Sequence, residues 1–190
     1  SSDLVARHIA AAPSRPLPAR VAEVTRHHVL DTLAAMVSGT RLAPGRMAIS
    51  YAKTLGGRPQ AQVVGTRCVT NAVTAATANA MLAHADETDD SHAPSLTHPG
   101  CGIVSAALAM AERGRSTGTA LLRAVALGYD VSARMSLSLG AGKFRSVGHM
   151  THSFGPTFGA AAASAALAGL DTRGVRQDRK STRLNSSHRT

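Results

Sequence analysis

From Thr157 to Gly169 the chain reads T-F-G-A-A-A-A-S-A-A-L-A-G, and only Phe158 and Leu167 carry side chains larger than threonine. Alanine is the strongest helix former, so the run predicts a helix. A helix this bare buries little area with its own side chains. It suits the middle of a helical domain, where neighbouring backbones approach closely. The same texture extends through the sequence. Alanine is the dominant residue, with 36 copies among 190 positions, which favours helix over sheet. The expected class is all-α. Neither a heptad run nor an internal repeat is present, which disfavours a coiled coil.

Local signals place further helices. Asp3 to Ala12 reads as a short helix stopped by Pro13, and Pro13, Pro16 and Pro18 mark a linker. Val21, Val24, His28, Leu33 and Val37 recur at near-helical spacing and end at Gly39, read as a helix C-cap. Pro44 opens a third helix through Met47, Tyr51 and Leu55, closed by Gly56-Gly57. Gln62-Val63-Val64 is a short extended piece. Thr70 or Asn71 caps a fourth helix with Val73, Thr77, Ala80, Met81 and His84 on one face. Residues 86–98 form an irregular polar loop. Pro99 starts a helix to Glu112, and Ser116 or Thr117 caps another carrying Leu121, Leu122, Val125, Tyr129 and Ser132. Gly140 to Gly148 reads as a loop, and the last helix begins near Thr157.

Charge points first in a different direction. The formal net charge is +10, which alone suggests an anionic partner such as nucleic acid or a membrane surface. Yet the chain has two Tyr, three Phe and no Trp, too few platforms for stacking bases. The longest uncharged run, Ser146 to Leu170, is too weakly apolar to insert into a bilayer. Ser1 to Pro13 lacks the apolar core of a signal peptide. Neither nucleic acid nor a membrane is therefore expected as partner. Cys68 and Cys101 make no disulfide framework and read as buried, reduced thiols of a cytoplasmic protein. Residues 179–190, RKSTRLNSSHRT, add four positive charges and no acid. The alanine-rich texture has stopped by then, so this segment is expected to be a non-native basic tail resembling translated adapter sequence. The expected domain is residues 1–178.

The 45 residues from Cys68 to Glu112 contain no Lys or Arg and hold five of the eleven acids. Four of these fall within Asp86–Asp90. Around them, His84-Ala-Asp86-Glu87-Thr-Asp89-Asp90-Ser91-His92-Ala-Pro-Ser-Leu-Thr97-His98-Pro99-Gly100 gathers three of the nine histidines. Three kinds of chemistry fit. Imidazoles tuned by carboxylates serve acid/base catalysis, with His98 before a helix N-terminus that favours a substrate's carboxylate. Asp and His at these spacings suit a divalent ion, and Asp-Glu-x-Asp-Asp faintly matches the magnesium motifs of helical diphosphate enzymes. No base for a diphosphate lies in the stretch, which weakens that alternative. Third, Asp89 and Asp90 suit helix caps or ion pairs. A second constellation, Gly148-His149-Met150-Thr151-His152-Ser153-Phe154-Gly155, sets histidines before the bare helix. P-loop, nucleophile-elbow, zinc-protease, C-x-x-C and dinucleotide fingerprints are absent.

Taken in order, these segments resemble the MmgE/PrpD family, which includes 2-methylcitrate dehydratase, cis-aconitate decarboxylase and iminodisuccinate epimerase. The resemblance is carried by His28-Val-Leu-Asp31-Thr-Leu-Ala, by Asn79-Ala-Met-Leu-Ala-His84-Ala, and by Asp89-Asp90-Ser91-His92 with His98-Pro99-Gly100. It continues in Leu127-Gly-Tyr129-Asp-Val and in Phe154-Gly155 with the helix ending Gly169-Leu170-Asp171. It implies the helical N-terminal part of a large all-α domain, without the family's later lid domain. It further implies homodimers when the chain is full length, no iron–sulfur cluster, no other cofactor and no metal. The family loop has an acid, an aromatic, two Asp and a Thr. Here Glu87 stands at the acid, Thr88 at the aromatic and Ser91 at the Thr. The implied activity is proton abstraction beside a carboxylate of a small polycarboxylate, followed by loss of a leaving group or reprotonation. The implied catalytic residues are His98, His149, Glu87 and Ser91. Asp89, Asp90 and His92 are the expected substrate-binding residues, the two aspartates also shaping the loop. The family's later lysine and tyrosine have no counterpart within these 190 residues. An inactive helical interaction fragment is the competing expectation.

Overall fold

Side-chain caps start two of the helices. The Asn71 side chain accepts from the Thr74 N–H to begin α4 (Ala72–Ala83), and Thr117 accepts from Ala120 to begin α6 (Gly118–Ser138). Pro99 supplies the preset φ of the first turn of α5 (Pro99–Gly114). In this computed structural model, which describes residues 2–177, these join α1 (Ser2–Ala11), α2 (Ala19–Gly39), α3 (Ala43–Leu55), α7 (Ala141–Ser146) and α8 (Thr151–Leu167). Residues 172–177 are helical again. The fold class is all-α, as expected. The boundary at residue 178 and the basic tail 179–190 lie outside the described residues. Among the described residues no helix is long and apolar enough to cross a membrane.

The single extended piece anticipated near Val63 is a two-stranded hairpin. β1 (Ala61–Gln62) pairs antiparallel with β2 (Val69–Thr70), in the register Ala61 with Thr70 and Gln62 with Val69. Beyond it, the fully buried Asn79 on α4 continues the pairing. Its Oδ1 accepts from Val64 N at 2.9 Å and its Nδ2 donates to Gln62 O at 3.0 Å. A side-chain amide here does the work of a strand edge.

The main core gathers Met36, Val63, Leu82, Ile103, Val104 and Val125 among many alanines. A second cluster joins Ala6, Ile9, Leu127, Val131, Ala162 and Val175. Small residues set the approach of the helices. A Cβ on Gly159 of α8 would lie 2.5 Å from the Gly128 carbonyl oxygen of α6 and 2.7 Å from Ile103 Cδ1. A Cβ on Gly155 would collide with Ser136 Oγ and Ser132 O. The bare helix therefore lies in the middle of the bundle, against both α5 and α6.

Four expectations need correction. Gly39 is not a left-handed C-cap. It is the last residue of α2, which Thr40 caps, and its missing side chain makes room for the Leu82 carbonyl of α4. Gly45 of α3 is matched in the same way to the Gly39 carbonyl and to Leu82 Cδ2. The buried face of α4 is Ala72, Ala75, Ala78, Asn79, Leu82 and Ala83, while Val73, Thr77 and Met81 face outward. α4 is apolar nearly all round, and the face with the smaller residues won because it permits this close contact. α8 begins at Thr151, six residues early, and Pro156 lies inside it. Its start is fixed by Thr151 Oγ1, which donates to the Leu96 carbonyl at 2.5 Å. Finally, the Gly140–Gly148 loop contains the short helix α7.

Candidate active site

The segment joining α4 to α5 folds back so that the end of one helix meets the start of the other. His84 is the C-cap of α4 and His98 the N-cap of α5. Between them the chain turns through two left-handed residues, Glu87 (φ 57°) and Leu96 (φ 52°). Leu96 is a bulky residue in a conformation that costs energy, so the surroundings must hold it there. They do so through a small bridge in which His92 N–H donates to the Thr97 carbonyl at 2.9 Å. The chain of contacts from His92 Nδ1 to Ser95 Oγ and on to Thr97 Oγ1, each 2.7 Å, reinforces it.

The two central aspartates face different partners. Asp89, 4 % exposed, places Oδ1 2.9 Å from His84 Nδ1 and 3.4 Å from His98 Nδ1. Its backbone carbonyl also lies 3.3 Å from His98 Nδ1. Asp90 Oδ1 accepts from the Gly100 N–H at 2.8 Å, in the first turn of α5. Its Oδ2 accepts from the Tyr129 hydroxyl at 2.8 Å and lies 3.0 Å from His28 Nδ1. At the helix start where a substrate's carboxylate was expected, Asp90 thus already holds the Gly100 N–H. Gly100 has no side chain because a Cβ there would meet Asp90 Oδ1, Thr32 Oγ1 at 2.5 Å and Tyr129 Oη at 2.9 Å. His28 and Tyr129 also line a groove of about 290 Å³ between α2 and α6, with Val24 and Val125.

The second histidine beside His98 is His152, with ring centroids 5.3 Å apart. The His84 ring packs edge-on against His98 at 5.2 Å. Burial, then the neighbouring His98 and His84, hold the His152 imidazole below its ordinary pKa, with Glu87 pulling the other way. His149, the second histidine chosen from sequence, is exposed and stacks on Phe144 at 4.8 Å. Phe144 in turn meets Phe154, which meets Phe158, so His149 caps an aromatic ladder. Glu87 and Ser91 are exposed on the loop. Asp89, Asp90 and His92 were expected to bind substrate, but their side chains face internal partners.

Two burial effects complete the electrostatics. Cys101, one turn into α5, is pushed up to about 12 by burial and then by Asp89, and its Sγ donates to the His98 carbonyl at 3.3 Å. Tyr129 is held protonated by burial and by Asp90. Both cysteines are free thiols, half-buried rather than buried.

The site is thus a small-residue helical bundle that brings histidines from three helix ends together beside a buried carboxylate. The model of the MmgE/PrpD N-terminal domain matches residues 3–177, and the chain belongs to the MmgE/PrpD family. No curated protein matches the chain. Sequence reasoning did not single out His152 as the histidine beside His98. His152 lies one residue inside a helix whose first hydroxyl reaches the loop.

Proposed function

We propose that this domain contributes the histidine half of a lyase or epimerase site that abstracts a proton beside a carboxylate of a small polycarboxylate, in the manner of 2-methylcitrate dehydratase. One observation supports this above the others. The His98 Nδ1 is turned to the buried Asp89, so a proton on Nδ1 is held there and Nε2 is left basic. His98 is the general base of this reading. His152 lies beside His98 with its neutral form favoured by its surroundings, and is a second candidate base. His149 is kept as a candidate at the outer edge, on a segment whose exposed face a substrate can approach. Glu87 and Ser91 are exposed on the loop and would orient substrate. Asp89 and Asp90 act as positioning residues. No cofactor is called for, and two free thiols fit a cytoplasmic setting.

Turnover of methylcitrate and cis-aconitate, with proton exchange at the carbon beside the carboxylate, tests the reading. His98→Gln in the complete protein is expected to lower the rate by about 10²–10⁴-fold. An unchanged kcat removes His98 from the mechanism.

A second reading, an interaction domain, is favoured by exposed apolar stripes. Met47, Tyr51 and Leu55 share one face of α3, and Val73 and Met81 share one face of α4, with Val73 77 % and Met47 71 % exposed. A second copy of the chain is the proposed partner. A Val73→Lys change that leaves the sedimentation of a dimeric sample unchanged removes this face from the contact.

A further inference from the structure

We infer that a cavity between α6, α8 and the short turn Ala12–Ser14 binds a small monocarboxylate, held by the Arg123 guanidinium and the Ser116 hydroxyl. The cavity has a volume of about 90 Å³, several times what one water needs. Arg123 and Ser116 supply its polar groups, and Ala12, Ala120 and Leu167 its apolar walls. Among the described residues no acid lines it.

The guanidinium is pinned but only half used. Its Nη1 donates to the Pro13 carbonyl at 3.0 Å, from 110 residues away in the chain. That contact fixes the plane of the group and leaves its other edge, Nε with Nη2. Such an edge is the fork on which a carboxylate sits side-on, through two parallel N–H···O bonds. Nε is already buried, and it has no hydrogen-bond partner among the described residues. A buried donor left without an acceptor is costly, and such groups are rare in folded proteins. Arg134 pairs with Asp130 and Arg176 with Asp3, whereas Arg123 has no carboxylate partner among the described residues. Ser116 donates its backbone N–H to the Ala111 carbonyl at 2.9 Å, which leaves its hydroxyl for the ligand. One fork and one hydroxyl satisfy a single carboxylate. A phosphate has more oxygens and more charge, and would set them against the apolar walls. A carboxylate with a short apolar body fits both halves of the lining. The cavity meets α8 at Ala166 and Leu167, at the opposite end from His152. This site therefore goes beyond the proton-transfer reading and does not rest on it.

The test titrates the isotope-labelled full chain with sodium propanoate at constant ionic strength, and follows the Arg123 Nε–H and Ala120 amide resonances. The expected result is a saturable shift of both, with inorganic phosphate producing neither. Arg123→Lys keeps the charge but removes the fork, and should weaken binding about 10-fold or more, read at the Ala120 amide. Ser116→Ala should weaken it about 3-fold. Ala120→Leu fills the cavity with a good helix former and leaves Arg123 in place; it should abolish binding. His98→Gln should bind as tightly as the parent. The site is overturned if the shifts never saturate, or if Arg123→Lys or Ala120→Leu binds propanoate like the parent. Phosphate binding as tightly as propanoate overturns the choice of a carboxylate. Binding lost in His98→Gln places the carboxylate at the histidines and overturns this site. A chain that binds propanoate as expected but never exchanges the substrate proton overturns the catalytic reading alone.

Discussion

The crossing of α6 with α8 and the connection from α4 to α5 are fixed by opposite means. The crossing is defined by atoms that are missing. Gly128, Gly155 and Gly159 lack the Cβ atoms that would separate the helices. The connection is defined by atoms that are present, since Asp89 and Asp90 between them engage His28, His84, His98, Gly100 and Tyr129. The first region tolerates no addition and the second no removal. α8 belongs to both. Its glycines lock its position against α6, and its first turn then carries His152 to within 5.3 Å of the His98 ring. The spacing of the histidines is therefore set partly by a seam of glycines in the helix crossing.

Adding atoms to the crossing should have the largest effect on stability. Gly159→Val meets the Gly128 carbonyl and Ile103, and should destabilise the domain by about 3 kcal/mol or more in denaturant unfolding. A variant that unfolds at the parental midpoint breaks the account of the crossing. Removing atoms from the connection comes next. Asp90→Ala leaves a tyrosine hydroxyl, an imidazole and a helix N–H without their acceptor, and should cost about 3 kcal/mol. Tyr129→Phe should cost about 1.5 kcal/mol. The two combined should cost less than their sum, because they remove one shared contact; strict additivity would show that the contact carries no energy. Gly118 provides a contrast. It opens α6 with nothing within 4 Å of a would-be Cβ, so Gly118→Ala should stabilise by about 0.5 kcal/mol. A loss there instead would mean that glycine is needed outside the seam too.

The smallest effect concerns pH and His152. Its folded pKa lies below the ordinary 6.5. Above that value both folded and unfolded chains hold it neutral, and its contribution is intact. As pH falls below it, the unfolded chain takes up a proton that the folded site resists, so stability is lost. The melting temperature of the parent should therefore fall relative to His152→Gln between about pH 7.5 and pH 5. A difference that stays constant across that range removes His152 from the cluster's electrostatics.

Caps and prolines were legible because their chemistry is local. Asn71, Thr117 and Pro99 each start a helix with groups no more than three residues away. The polar loop was legible from its composition, and its family from the order of its motifs. The inward face of α4 was not, since apolar residues occupy both sides and only the notch at Gly39 and Gly45 decides between them. Nor was it legible that His152, and not His149, would lie beside His98. The two lie three residues apart, and the choice depends on a hydroxyl at Thr151 finding a carbonyl at Leu96, 55 positions away. Nothing near either histidine encodes that meeting.

Anchoring at Asp89 and Asp90 has a consequence for how such a loop can change. The side chains that hold the two helix ends together are themselves buried, while Glu87, Thr88 and Ser91 around them are exposed. Scaffold and exposed surface are thus assigned to neighbouring positions in one short stretch. A substitution at an exposed position therefore changes the surface of the loop without touching the side chains that align the histidines.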